Sequence, residues 1–323
     1  MAWRHEDVYF ILGYNMLPDF PIFAPLTLED KDVYNQLVAD YPPFSNISFT
    51  SMQIWWNLEG KLAISSLNGN LVIYYRIAYD PKNTGYSLIG KQSLDDSINT
   101  LFEYLRERNE PVRLVHIPEF VVEKIKHKNK FVIEEEPDYN EYILDSHALA
   151  SLEGSAHGRT RRRVKRFLRE VEDRKIEFKP LDLSSEEAKD QLFRATLELE
   201  KTQLSKNDPD HTEHLALKKT LAHASTLDIK HLGLYIDGKL SAIILYHRAQ
   251  GSNHYILNHI KVDYSIPYIF DYVTHHIAGL AAKENVDFLN MEMDLGIENL
   301  RQHKMGLRPV EFFRQFTVSP PQA

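Results

Sequence analysis

Two dipeptides, Asn68-Gly69 and Asp237-Gly238, constrain this chain most. Each sits between β-rich runs: KLAISSL (61–67) and NLVIYYRIA (70–78) around the first, HLGLYI (231–236) and KLSAIILYH (239–247) around the second. Asn-Gly and Asp-Gly tolerate the positive φ that a type I′ turn demands, so each predicts a tight antiparallel hairpin. The hairpins lie roughly 170 residues apart, a spacing that raises the question of a repeat.

The flanking elements recur in the same order. Before the second hairpin come a strand, IEFKPL (176–181), a helix entered at Ser184 and running to about Leu204, and a helix over roughly 212–225. After it come HYILNHIKV (254–262), a helix over 267–283 with Pro267 in its first turn, FLNME (288–292), a short helix (297–304) and VEFFRQF (310–316). The first half offers a helix near 29–39, an irregular segment with Trp55 and Trp56, the hairpin, a strand near 85–89 and a helix over 93–107. RLVHI (113–117), a helix at 119–127, FVIEE (131–135) and EYIL (141–144) complete it. Such a unit is α/β on a mixed sheet (an α+β arrangement). Its element order resembles the GNAT, or acyl-CoA N-acyltransferase-like, fold. Two copies imply tandem GNAT-like domains at 1–150 and 176–323, joined by a basic helix at 151–175. The competing expectation is one α/β domain of another topology.

Composition narrows the chemistry. The 323 residues carry a net charge of −8, so nucleic-acid binding needs a local basic patch. No cysteine is present, which removes disulfides, thiolate metal sites and a cysteine nucleophile. The N-terminal segment MAWRHEDVYFILGYNMLPDF has Glu6 and Asp7 before a short apolar run, unlike a secretory leader. No run approaches the ~18 apolar residues of a membrane span. The expectation is a cytoplasmic protein without an integral membrane segment.

The basic patch is local indeed. From His157 to Lys175 there are nine Lys or Arg against three acids. Val164, Phe167, Leu168 and Val171 recur at helical spacing and predict a stripe docked on a core. Arg159, Arg161, Arg162, Arg163, Lys165 and Arg166 then form a candidate phosphate or RNA site, with Gly154 and Gly158 loosening the helix start. The alternative is a solvated, salt-bridged linker.

Common hydrolase, NTPase, zincin and dinucleotide motifs are missing. The pairs His211/His214 and His275/His276 lack an obvious third ligand, so no metal is expected. A GNAT enzyme using acetyl-CoA binds pyrophosphate on a Gly-containing loop after the fourth strand. That place reads VDYSIPYIFDYV (262–273), without glycine, and GKQSLDDS (90–97) in the first half, with Gly90 but two acids. Acetyl-CoA or another acyl-CoA is therefore disfavoured as cofactor.

PPFSNISFTSMQIWW (42–56), DYNEYILDSHALASLEGSAHGRTRRRVKRFLRE (138–170), LNHIKVDYSIPYIFDYV (257–273) and MEMDLGIENLRQHKMGLRPVEFF (291–313) together resemble the soluble family related to the C-terminal domain of phosphatidylglycerol lysyltransferases. The resemblance spans about residues 20–318. It implies a tandem GNAT fold and transfer of an aminoacyl group from aminoacyl-tRNA to a lipid headgroup, peptide or small-molecule acceptor. On that basis Glu292, Asp294 and His259 are candidate catalytic residues, and Asn258, Lys261, Arg301 and Lys304 candidate substrate-binding residues. For Asp294 the competing role is to cap the following helix and balance Arg301. The other function classes are a non-catalytic RNA- or anion-binding module and an acyl-CoA-dependent N-acetyltransferase. Amino acid, acceptor and oligomeric state are not specified by the sequence.

Overall fold

A computed structural model describes residues 17–58, 60–75, 85–202 and 212–321. The segment at 1–16, the expected strand end at 76–78, the helix end at 203–204 and His211 lie outside the described residues.

The chain forms two compact units, Met1–Asn140 with Phe313–Ala323, and Glu141–Phe312. The first contains β1 (Ala24–Pro25), α1 (Lys31–Val38), α2 (Phe49–Ser51), β2 (Ala63–Leu67), β3 (Asn70–Tyr75), β4 (Gly85–Ile89), α3 (Leu94–Glu107), β5 (Leu114–Pro118), α4 (Glu119–Lys124), β6 (Val132–Glu135) and, from the chain's end, β14 (Gln315–Ser319). Its sheet runs β1-β2-β3-β4-β5-β14-β6. The segment with Trp55 and Trp56 is not irregular: α2 continues into a π-helical turn, Met52–Trp56, closed by Asn57 N–H donating to the Met52 carbonyl at 2.9 Å. Leu94, Ile98, Leu101, Phe102 and Leu105 of α3 form a helical stripe against Leu88, Leu114 and Ile117.

The second unit contains β7 (Glu141–Asp145), α5 (Ser146–Ser151), α6 (Gly158–Glu170), β8 (Ile176–Lys179), α7 (Glu186–Glu200), α8 (Thr212–Ala222), β9 (Lys230–Ile236), β10 (Lys239–Arg248), β11 (His254–Val262), α9 (Ile269–Lys283), β12 (Phe288–Asn290), α10 (Glu298–Gly306) and β13 (Glu311–Phe313). Its sheet runs β13-β7-β12-β11-β10-β9-β8. Helices α5 and α6 pack on α9, with Phe167 and Tyr272 stacked at 4.3 Å between ring centroids.

Both hairpins turn through paired positive φ, at Asn68 (53°) and Gly69 (75°) and at Asp237 (52°) and Gly238 (79°). Further positive-φ residues occupy corresponding places in the two units. Ser93 and Tyr268 cap the helices after β4 and β11, Asn109 and Asn285 follow those helices, and His116 and Glu292 sit at or just beyond β5 and β12.

Four expectations need correction. The division at 150/151 with a separate linker does not describe the sheets. Strand β7 pairs with β12 in the second sheet, with Phe288 opposite Asp145 and Asn290 opposite Ile143. The expected strand 310–316 is two strands: β13 stays in the second sheet, whereas β14 pairs with β5 and β6 in the first. Helix α6 belongs to the second core through Val164, Phe167 and Val171, but Leu168 stays 43% exposed. Helix boundaries move by one or two residues, since Ser185 rather than Ser184 caps α7 and Tyr268 rather than Pro267 immediately precedes α9.

Candidate active site

Strands β11 and β12 pair in parallel only from His254–Phe288 to Ile256–Asn290. Beyond that point β11 runs on to Val262 alongside β10, while Met291 and Glu292 keep backbone hydrogen bonds to Tyr142 at β7. The β11–β12 ladder thus ends in a fork in the second sheet. Its vertex coincides with a β-bulge: Leu245 opposes His259 and Tyr246 opposes Leu257, leaving Asn258 as the extra residue. A bulge re-aims the side chain it inserts.

Asn258 uses that freedom. Its amide donates to Glu292 Oε1 at 3.0 Å, and its Oδ1 lies 2.8 Å from His247 Nδ1. Glu292 holds φ of +56°, a rare conformation for a non-glycine residue. Its N–H donates to Asn290 Oδ1 at 2.8 Å, and Asn290 in turn donates to Glu141 Oε2. A buried polar chain thus runs from β7 through β12 to β11 and β10. Such a network fixes geometry because each member satisfies its neighbour. Glu292 is 9% exposed at the fork.

The segment after the fork is clamped by two cations. Arg301 donates to Asp294 from Nε (2.9 Å) and from a terminal nitrogen (2.8 Å), a bidentate pair. Tyr142 and the Gly296 N–H also donate to the Asp294 carboxylate. Burial of Asp294 opposes ionisation, yet Arg301, Tyr142 and Gly296 together hold its carboxyl below the usual range. Burial and the Asp294 contact push the Tyr142 hydroxyl up to about 12. Lys304 Nζ donates to the carbonyls of Met291 (2.7 Å), Glu292 (3.3 Å) and Met293 (2.6 Å). Burial lowers its pKa to about 8, against the pull of Glu292, Asp294 and Glu141. Asp294, Arg301 and Lys304 thus shape the fork through contacts within the protein. The two acids do not share a strand face, because β12 ends at Asn290.

His259 and Lys261 lie apart from this group, on a face of β11 covered by α7 and α8. His259 Nε2 meets the Thr220 hydroxyl at 3.0 Å, and burial together with the Lys261 charge pulls its pKa to about 3. Lys261 pairs with Glu200 at 2.9 Å and with Glu213. Burial works against its charge, but the two carboxylates win and raise its pKa. The histidine is thus a buried neutral ring.

On α6, Arg161 donates to the carbonyls of Leu152 and Gly154, and Arg163 pairs with Asp271 at 3.1 Å. Arg159, Arg162, Lys165 and Arg166 are exposed. Arg166 donates to the Tyr268 hydroxyl at 3.0 Å, beside a shallow basin of about 410 Å³ lined by Arg166, Arg169, Glu170, Pro267 and Tyr268. Among the described residues no acid pairs with Arg159, Arg162, Lys165 or Arg169.

The loop before α9 offers few donors. The N–H groups of Tyr264, Ser265 and Ile266 bond to Thr202 Oγ1, Asp263 Oδ1 and the Asp263 carbonyl. In the first unit Asn70 Oδ1 accepts from the Gln92 N–H, and a Cβ at Gly90 would lie 2.0 Å from that oxygen.

Sequence reasoning missed Glu141, Tyr142, His247 and Asn290. Their partners come from strands far along the chain, so only the pairing of β7 with β12 and of β10 with β11 reveals them.

A mixed sheet that parts between two parallel strands agrees with the GNAT-like fold that the order of elements implies. The chain belongs to the family described as phosphatidylglycerol lysyltransferase, C-terminal, which it matches over residues 44–318. No curated protein matches the chain. Among solved structures it is similar to a conserved protein of unknown function from Bacteroides thetaiotaomicron, at 19% identity over 95% of this chain and 100% of that one, TM-score 0.78. It is also similar to the C-terminal domain of a putative lysylphosphatidylglycerol synthetase from Agrobacterium fabrum, at 14% identity over 90% and 91% of the two chains, TM-score 0.59. L-PGS from Bacillus licheniformis matches at 14% identity over 91% and 93%, TM-score 0.58. At these identities the likeness is one of fold. No helix among the described residues is long and apolar enough to cross a membrane.

Proposed function

We propose that the second unit transfers an aminoacyl group from aminoacyl-tRNA to a hydroxyl or amine acceptor. The observation that carries this reading is the held carboxylate of Glu292 at the strand fork. The acceptor attacks the ester carbonyl carbon and gives up its proton to Glu292. The tetrahedral intermediate collapses, the bond to the terminal ribose oxygen of the tRNA breaks, and that oxygen takes the proton. Asn258 and His247 orient the carboxylate and are positioning residues.

Family membership supports an acyl-transfer reaction. Exposed Arg159, Arg162, Lys165 and Arg166 support a polyanionic donor. The amides of 264–266 support tRNA over acyl-CoA as donor, since they are already bonded within the protein and are not offered to a pyrophosphate. The recurring positive-φ residues support reading the two units as a tandem repeat.

The test is incubation with labelled, charged tRNAs, following ester loss and acceptor labelling. Glu292→Gln, which keeps the Asn258 contact, is expected to cut transfer at least 100-fold with little change in tRNA affinity. Binding by the wild type without turnover on any charged tRNA would replace the enzyme with an RNA-binding module.

A further inference from the structure

The first unit carries a basic loop that the site in the second unit does not use. From Glu123 to Lys130, in EKIKHKNK, four lysines and a histidine stand against one acid, in a chain of net charge −8. Lys124 ends α4, and Lys128–Lys130 forms a single 3-10 turn before β6. Ile125 and Phe131 are buried and pin the two ends of the loop to the core. Lys124, Lys126, His127, Lys128, Asn129 and Lys130 are all exposed.

The loop is held in one shape from behind. Asp95, in the first turn of α3, accepts from the N–H groups of Lys126 (3.0 Å) and His127 (2.9 Å), and its Oδ1 lies 2.8 Å from His127 Nδ1. Burial opposes ionisation of Asp95, but these contacts hold its carboxyl below the ordinary range. Its charge therefore fixes the loop backbone and the histidine ring, and pairs with none of the lysines. Among the described residues no acid pairs with Lys124, Lys126, Lys128 or Lys130. Four like charges within seven residues repel one another, and a polyanion relieves that repulsion.

We propose that this loop is an RNA-contact surface, with the four ammonium groups set against backbone phosphates. Each lysine is a point charge suited to a phosphate oxygen, and Asn129 adds an amide for a phosphate or a ribose hydroxyl. A backbone already fixed by Asp95 lowers the ordering cost of binding. The loop exposes no aromatic ring for a base to stack on, so contact is independent of base sequence. An anionic membrane fits less well. Lysine charge alone gives loose attachment to lipid, and the loop exposes no large apolar side chain as a second hold. The inference rests on RNA as a partner of the chain, and not on α6 or on transfer in the second unit.

The probe is uncharged tRNA, measured by filter binding to the full chain over a potassium chloride series. One variant combines Lys124→Gln, Lys126→Gln, Lys128→Gln and Lys130→Gln. It is expected to bind about tenfold more weakly at ~100 mM salt, and to reduce the slope of log K against log salt by about 0.7–0.9 for each phosphate released. The control combines Lys179→Gln, Lys201→Gln, Lys218→Gln and Lys239→Gln, exposed lysines of the second unit, so that net charge falls equally. It is expected to keep the wild-type slope. An unchanged slope in the loop variant overturns the proposal. So does an equal fall in the control, which would reduce the effect to bulk charge, and so does a wild type that binds no tRNA. Sedimentation with phosphatidylglycerol-containing vesicles that is lost in the loop variant, at unchanged tRNA binding, would overturn it in favour of a membrane. Weakened tRNA binding in the loop variant, together with no transfer by the wild type from any charged tRNA, leaves this surface standing and removes only the reaction proposed for the second unit.

Discussion

Glu292 and Asp294 stand two residues apart and have opposite fates. Asp294 commits its oxygens to Arg301, Tyr142 and Gly296, while Glu292 is held at the fork by Asn258. The Asp294–Arg301 pairing was legible locally, because seven residues with a turn between them bring the two charges together. The setting of Glu292 was not, since its network draws on Glu141 and His247 from other strands. His259 shows the same limit. Period two placed it beside Lys261, but only packing shows that α8 covers the ring. Its folded pKa of about 3 lies below the unfolded value of ~6.5. The unfolded chain therefore binds more protons between those values, and stability rises with pH across that window and is lost on acidification. Urea denaturation from pH 4 to pH 7 is expected to show this slope, approaching ~1.4 kcal/mol per pH unit. His254 and His276, which burial holds at about 4, add slope of the same sign, so His259→Gln is expected to reduce the slope by up to ~1.4 kcal/mol per pH unit rather than abolish it, and an identical slope in the variant would mean other groups drive the acid limb.

At the scale of elements, the hairpins were fully legible because their turns encode φ directly. Helix α6 was legible as amphipathic, yet its charged face divides in a way that spacing alone does not reveal. Arg161 and Arg163 face carbonyls and Asp271, whereas Arg159, Arg162, Lys165 and Arg166 are exposed. The variant that tests RNA binding is thus the alanine substitution of the exposed four. It is expected to weaken tRNA binding and to reduce the slope of log K against log salt by about 0.7–0.9 for each phosphate no longer neutralised. Arg163→Ala should instead lower stability, because it leaves the buried Asp271 carboxylate without its ion pair. Filter binding over a salt series separates the two. Equal slopes for wild type and the fourfold variant would reduce α6 to a packing element.

Across the whole molecule, the order of elements along the chain was readable and their assignment to sheets was not. Local pattern marks EYIL and VEFFRQF as strands but carries no information about which edge completes them. The edge of β12 beside Leu289 is taken by β7, and β14 fills the gap between β5 and β6. The boundary of an independently folding piece follows from this pairing. A fragment of residues 141–313 keeps every strand of the second sheet, the Asn290–Glu141 contact and the Tyr142–Asp294 contact. It is expected to unfold in one cooperative transition with ordered aromatic circular dichroism. A fragment of residues 151–323, cut at the boundary the sequence suggests, lacks β7 and α5. It exposes the β12 edge and carries β14 without its partners, and unpaired edges of this kind drive association. It should elute as aggregate or lose the aromatic signal. If 151–323 folds as cooperatively as 141–313, β7 is dispensable and the sheet is held by β8 to β12.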